Sequence, residues 1–133
     1  MEKTHVSVEF AIFGESINIE KISKDLNITP TLSYHKGEPT SNPKVFYKED
    51  CWEIDTGYKE TFYVEEEIEK VMAIFRGKEN ELIKIKEENN ADIKISVVIN
   101  ITNEEAPGIC LNKKILKFLS DIDCEIEFDM YVF

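Results

Sequence analysis

The chain has 133 residues, of which 42% are hydrophobic and 11% aromatic, and this is enough apolar material for one packed core. We therefore predict a single globular domain over residues 1–133. Sixteen Lys and Arg against 27 Asp and Glu give a formal net charge of -11. This charge repels phosphate backbones and anionic lipid surfaces, so we expect no nucleic acid and no membrane partner. The same field attracts a basic protein partner, although acidity can also serve solubility alone.

The cysteines indicate a reducing compartment. Cys51, Cys110 and Cys124 are odd in number and form no CxxC pair, so a disulfide framework cannot account for all of them. The first ten residues alternate in polarity, and no apolar run approaches the roughly 20 residues of a membrane span. We therefore expect a cytoplasmic protein.

The first forty residues contain one strand, one helix and a loop. Apolar side chains at every second position predict a strand over residues 6–12. Apolar residues at helical spacing predict a helix over residues 19–26, with Asn18 as its N-cap. Residues 29–43 hold three of the four prolines and Gly37, which is typical of a loop.

The middle of the chain predicts a hairpin followed by two helices. The stretch "KVFYKEDCWEID" has the polarity of a hairpin, with Trp52 and Ile54 pointing inward. The outward residues of its second strand would be Cys51, Glu53 and Asp55. Apolar residues at helical spacing then predict one helix over residues 64–75 and another around residues 82–85.

The last forty residues predict a strand, a helix and a strand. Residues 93–101 alternate strongly in polarity, and residues 112–120 have a helical apolar spacing. The final segment alternates most regularly, so one strand would carry five carboxylates on one face. Those carboxylates belong to Asp121, Asp123, Glu125, Glu127 and Asp129.

This order of elements predicts an α+β fold. We expect a mostly antiparallel sheet with helices on one face, because both ends of the chain have a β-α-β-like pattern. The nearest named arrangement for the two halves is the ferredoxin-like split β-α-β layout.

Motifs for catalysis, metal binding and nucleotide binding are missing from the sequence. The two histidines, His5 and His35, belong to no HExxH or HxH pattern, and the cysteines are too widely spaced to suggest a zinc site. Five glycines form neither a GxGxxG nor a phosphate-binding loop motif. We therefore predict no catalytic residue, no metal site and no cofactor, and we favour a protein that is not an enzyme.

The carboxylates on the outward strand faces form the main candidate site. If helices cover the other side of the sheet, these residues and Glu9 make an acidic surface, whose negative charge is offset mainly by Lys94. The predicted partner-binding residues are Glu53, Asp55, Asp123, Glu125, Glu127 and Asp129. They favour a non-enzymatic protein-binding domain, for example an immunity-type protein that neutralises a basic partner. The alternative is a solvated face whose charges prevent edge-to-edge aggregation.

The loop after the first helix is a second candidate site. His35 and Lys36 lie beside Gly37 at a predicted turn, where they could bind an anion or simply face solvent. A small-ligand-binding domain or an enzyme using this loop, with Cys51 as a nearby nucleophile, is therefore the alternative function. The purely architectural interpretation is that Pro30 ends the helix and Gly37 permits the turn, with no ligand involved. Self-association through the apolar "MYVF" end is a further alternative.

Short stretches spread along the chain resemble a known family. They are "LNITPT" followed by "HKGE", then "CWEI", "PGICL" and the closing "FDMY". Together and in this order they are similar to the bacterial domain of unknown function 4279 family. The resemblance implies an intracellular bacterial α+β domain, and it implies no reaction, cofactor or catalytic residue.

Overall fold

The computed structural model describes residues 3–133, and it contains one sheet and four helices within that range. The strands are β1 (His5–Gly14), β2 (Leu32–Tyr34), β3 (Asp50–Asp55), β4 (Lys59–Glu60), β5 (Asp92–Ile101) and β6 (Cys124–Val132). The helices are α1 (Ile19–Leu26), α2 (Val64–Ile74), α3 (Glu79–Asn89) and α4 (Lys113–Asp121). None of these helices is long and apolar enough to cross a bilayer.

The strands lie in the order β2-β3-β1-β5-β6, and the short β4 pairs with the beginning of β1. β1 is antiparallel to both β3 and β5, and β3 is antiparallel to β2. β2 therefore runs parallel to β1 with β3 between them, which is the split β-α-β arrangement of ferredoxin-like folds. The predicted α+β class with a mostly antiparallel sheet is confirmed.

The final third of the chain adds a second β-α-β unit. β5 and β6 are parallel neighbours, with Ile95 opposite Ile126, and α4 connects them. The Asn112 side chain caps α4 by accepting the backbone N–H of Ile115 at 3.0 Å. β6 is therefore placed at the end of the sheet, next to the long central strand β5.

One hydrophobic cluster joins the helices to the sheet. Four alternate residues of β1 are fully buried, namely Val6, Val8, Phe10 and Ile12, and all four helices contribute side chains to the same cluster. Phe10 stacks on Phe75 of the α2 C-cap with ring centroids 4.1 Å apart. Trp52 is fully buried, and its indole N–H donates to the Ser23 hydroxyl of α1 at 2.9 Å. Truncation of a side chain such as Phe10 to alanine would cost about 3–5 kcal/mol.

The predicted hairpin before Trp52 is wrong in its first strand. β3 forms as expected, but its partner is β2, which lies inside the predicted loop. Phe46 makes only an isolated bridge with Pro39 and is 53% exposed. The backbone N–H of Thr31 donates to the Glu53 carbonyl at 2.9 Å. The segment after α1 therefore pairs with backbone groups at the edge of β3.

The predicted final strand is wrong at its start. α4 continues to Asp121, where an ion pair with Lys117 at 2.8 Å supports the last turn. Ile122 then enters the core and Asp123 has φ 51°, a left-handed conformation that interrupts any extended strand. Because β6 begins only at Cys124, Asp121 and Asp123 do not share the face of Glu125, Glu127 and Asp129.

Candidate functional site: an acidic sheet face

Carboxylates of β1, β3 and β6 lie on the sheet face opposite the core cluster. Strand register places them on one surface: Glu9 is opposite Asp55 on one side and Ser96 on the other, and Ser96 is opposite Glu127. Side chains in register across a sheet point to the same face. We call this surface the acidic face and define it by Glu9, Glu53, Asp55, Glu125, Glu127 and Asp129.

Three of these carboxylates form a compact cluster where β1 meets β3. One oxygen from each of Glu9, Glu53 and Asp55 lies within 4.8 Å of the others. Glu53 and Asp55 are alternate residues of β3, and Glu9 is brought to them by the antiparallel register. Opposite residues in such a pair have Cβ atoms about 4.5–5.5 Å apart, which is closer than alternate residues along one strand.

Burial and mutual repulsion make ionisation of the cluster carboxyls unfavourable. Burial, with the nearby Glu9 and Asp55 carboxylates, raises the pKa of Glu53 to about 7. Burial also raises the pKa of Glu9, and Asp55 and Asp129 add to the rise while Lys94 opposes it. Since Asp55, Lys94 and Asp129 lie on β3, β5 and β6, charges from three neighbouring strands act on the Glu9 carboxyl.

Hydrogen bonds hold Asp55 in place within the cluster. Its Oδ1 accepts the Ser7 hydroxyl at 2.9 Å and the backbone N–H of Gly57 at 2.7 Å. Gly57 has φ 72°, a left-handed conformation that glycine adopts without steric cost. The turn after β3 therefore orients one carboxylate while Glu53 and Glu9 remain without such donors among the described contacts.

Lys94 supplies the positive charge at the centre of the face. It lies on β5 opposite Ala11 and Glu125, and its ammonium is 3.6 Å from a Glu127 carboxylate oxygen. The same ammonium lies 5.5 Å from the centre of the Phe13 ring. One ammonium beside six carboxylates leaves the face strongly negative.

A small cleft lies at the β3 end of this face. It has a volume of about 170 Å³, and its lining includes Cys51, Tyr34, Glu9, Glu53 and Lys94. Cys51 is only 3% exposed, and burial is the main cause that raises its thiol pKa to about 11. Burial likewise raises the pKa of Tyr34. A protonated, buried thiol is a poor nucleophile, so this cleft does not support cysteine catalysis.

The cluster of Glu9, Glu53 and Asp55 can accept a cation. Carboxylate oxygens suit a lysine ammonium, an arginine guanidinium or a hard metal ion such as Ca²⁺ or Mg²⁺. Any of these would lower the raised pKa of Glu53 by pairing with its ionised form. The arrangement therefore favours binding of positive charge.

The prediction that Asp123 lies on the acidic strand face is wrong, because β6 begins only at Cys124, and a partner-binding role for this residue stays a prediction. Its side chain is 89% exposed and forms an ion pair with Lys86 of α3. This pair ties the turn before β6 to α3, where Lys86 also donates to the Asp123 carbonyl at 3.1 Å. The other five predicted residues, Glu53, Asp55, Glu125, Glu127 and Asp129, lie on the acidic face.

The loop that holds His35 and Lys36 is fastened to the buried Asp50. The Asp50 side chain is 9% exposed. Its carboxylate accepts the backbone N–H of Lys36 at 2.7 Å and that of Ile17 at 3.0 Å. His35 Nδ1 lies 3.5 Å from the same carboxylate. Although burial acts to raise the pKa of Asp50, these contacts lower it overall.

The Lys36 side chain is also engaged within the protein. Its ammonium donates to a Glu15 carboxylate oxygen at 3.0 Å, on the connection between β1 and α1. His35 borders an open groove of about 630 Å³ that also exposes Asn18 and Glu20 at the start of α1. The contacts of His35 and Lys36 give the loop an architectural role, and a ligand role for them stays a prediction.

The fold and this site together define an α+β domain with a split β-α-β sheet and an acidic face. The chain belongs to the family described as domain of unknown function (DUF4279), which matches residues 2–133. The predicted family resemblance is confirmed. No curated protein and no solved structure matches the chain.

Replacement of Glu53 by glutamine tests the strain in the cluster. The folded protein retains a proton on Glu53 between the ordinary pKa of 4.5 and about 7, so the free energy of unfolding should fall as the pH rises through that range. Glu53→Gln should flatten this decline and stabilise the protein at pH 8 by about 1 kcal/mol, after allowance for solvent screening. Urea unfolding at pH 5 and pH 8 measures both effects. Glu125→Gln is the control, and an unchanged pH profile for Glu53→Gln would contradict the interpretation.

Replacement of Asp50 by asparagine tests the architectural role of the loop. Asparagine keeps one uncharged acceptor oxygen, so one of the two backbone donors would lose its acceptor and the unfolding free energy should fall by about 2 kcal/mol at pH 7. Because the folded pKa of Asp50 is lowered, the wild type should itself lose this contribution as the pH falls below the ordinary 3.8. Chemical denaturation gives the measurement, with the exposed Glu49→Gln as the matched control. Equal stability of the two variants at pH 7 would contradict the role.

Proposed function

We propose that this domain is a non-enzymatic binding protein whose acidic face holds a cationic protein partner. The observation that carries the proposal is the cluster of Glu9, Glu53 and Asp55, whose carboxylate oxygens lie within 4.8 Å of one another. Three carboxylates packed together destabilise the free protein, and a partner's basic side chain would remove that cost on binding. An immunity-type protein that neutralises a basic toxin is one such binder.

The distribution of charge supports this proposal. The two cluster carboxylates on β3 lie about three strand spacings, or roughly 14 Å, from the three carboxylates on β6, and Glu9 on β1 lies between them. Glu125 and Glu127 are exposed and available for contact. A field of one sign speeds encounter with an oppositely charged protein and makes the on-rate fall with salt.

The raised pKa values add a pH dependence to binding. A cationic partner favours the ionised form of Glu53, so complex formation releases protons while the pH lies below about 7. Affinity should therefore increase as the pH rises from 5 to 8. A solvated face with no binding role would have no such coupling to a partner.

The alternative function at the loop is less well supported. Backbone and side-chain atoms of His35 and Lys36 already pair with Asp50 and Glu15. The nearby Cys51 is buried with a pKa of about 11, which disfavours a nucleophilic role. These contacts explain the loop without a ligand.

Charge reversal on β6 tests the proposed function. Immobilised wild-type protein should capture a basic protein from a native host lysate at low salt, and Glu125→Lys with Glu127→Lys should weaken its binding at least tenfold. The reversal adds four units of positive charge at the face, and tenfold corresponds to only about 1.4 kcal/mol. Calorimetry with the purified partner, at pH 5 and pH 8 and at two salt concentrations, measures the change in affinity.

A matched control separates the face from net charge. Glu87→Lys with Glu104→Lys changes the net charge equally at two exposed positions outside the acidic face. The proposal requires that this control retain most of the binding. Equal loss in both double variants, or no basic protein captured by the wild type at low salt, would contradict it.

A further inference from the structure

The outer edge of β6 is open for pairing. Within residues 3–133, β6 lies at the end of the strand order and pairs with β5 along the whole run from Ile93–Cys124 to Ile101–Val132. The backbone N–H of Phe133 donates to the Ile101 carbonyl at 2.9 Å, so this odd-numbered residue faces β5. Since N–H groups alternate between the two edges of a strand, the even-numbered residues of β6 direct theirs outward.

The side chains along this edge alternate in chemistry. The three carboxylates of Glu125, Glu127 and Asp129 lie on the acidic face. On the opposite side Ile126 and Phe128 pack partly against the core, while Met130 and Val132 beyond them are 53% and 73% exposed. An added strand would therefore meet negative charge on one face and apolar surface on the other.

A second copy of the chain fits this edge poorly. Full-length antiparallel pairing of two β6 strands would place Glu127 of each copy opposite Asp129 of the other. Like charges directly opposite one another destabilise a strand pair. The edge thus disfavours self-pairing and favours a strand of complementary charge.

We infer that β6 binds its partner by sheet extension, accepting an extended segment with basic residues at alternate positions and apolar residues between them. This inference rests on the proposed function and specifies the form of the cationic partner. Main-chain bonds to the outward groups of residues such as Phe128 and Met130 would supply affinity. Basic side chains opposite Glu125, Glu127 and Asp129 would set the register, at cross-strand distances of about 4.5–5.5 Å.

Two synthetic peptides of identical composition test this inference. One is a nine-residue peptide of alternating lysine and valine, acetylated and amidated, and the other holds the same residues with the lysines in one block. The alternating peptide should bind at least tenfold more tightly in an NMR titration, with the largest backbone shifts in residues 124–132. Equal affinity of the two peptides would overturn the inference.

Proline at an outward-facing position tests the main-chain bonds. Met130→Pro removes an outward N–H but leaves the bonds to β5, because proline is tolerated at edge positions whose N–H faces solvent. It should weaken the alternating peptide about tenfold relative to Met130→Ala, which loses the same side chain and keeps the N–H. Val132→Pro, with Val132→Ala, serves the same purpose if Met130→Pro fails to fold.

The outcomes separate the inference from the proposed function. If Met130→Pro matches Met130→Ala while Glu125→Lys with Glu127→Lys weakens both peptides, sheet extension is wrong and charge recognition by the acidic face stands. If neither peptide binds, sheet extension is overturned, and the proposed function is decided by the protein capture experiment. If the alternating peptide binds and the charge reversal has no effect, both proposals fail.

Discussion

The antiparallel register of β1 with β3 is the constraint on which the acidic face depends. It places Glu9 opposite Asp55 and Ala11 opposite Glu53, so that three carboxylates meet on one side of the sheet. The same register places Phe10 opposite Ile54 and Ile12 opposite Trp52 on the core side. A shift by one residue would exchange the two faces, so the buried aromatic core and the acidic face are specified together.

This coupling explains how the protein can tolerate the charge cluster. Burial of Trp52, Phe10 and their neighbours supplies the stability that offsets repulsion among Glu9, Glu53 and Asp55. Asp55 is oriented by Ser7 and Gly57, and Lys94 relieves part of the field from β5. The burial and repulsion that remain are evident in the raised pKa of Glu53. Retained strain of this kind is typical of sites shaped for binding rather than for stability alone.

The parts of the fold that follow from local pattern could be predicted from the sequence. Alternation identified β1 and β5, and helical spacing with Asn18 as N-cap identified α1, whose cap accepts the Lys21 N–H at 3.1 Å. β2 could not be recognised because its three residues pair only through tertiary contacts with β3. Asp123 continues the polar alternation of β6, yet its left-handed turn depends on Ile122 entering the core.

The candidate site was predictable in composition but not in geometry. Outward carboxylates on Glu53, Asp55, Glu125, Glu127 and Asp129 follow from strand alternation within each segment. Their approach to Glu9 depends on strand order and register, which one sequence does not specify. The sequence also did not indicate the role of Asp50. Its two backbone donors belong to Ile17 and Lys36, which precede it by 33 and 14 positions in the chain.

The ionisation of Glu53 gives the most direct measurement of the central claim, that the acidic face holds unbalanced negative charge. A carbon-detected NMR titration of the Glu53 carboxyl, with decalysine absent and then saturating, reports its pKa in each state. We expect a pKa of about 7 in the free protein and a clear decrease when the cationic peptide is bound. A pKa near the ordinary 4.5 in the free protein, unchanged by decalysine, would contradict the account.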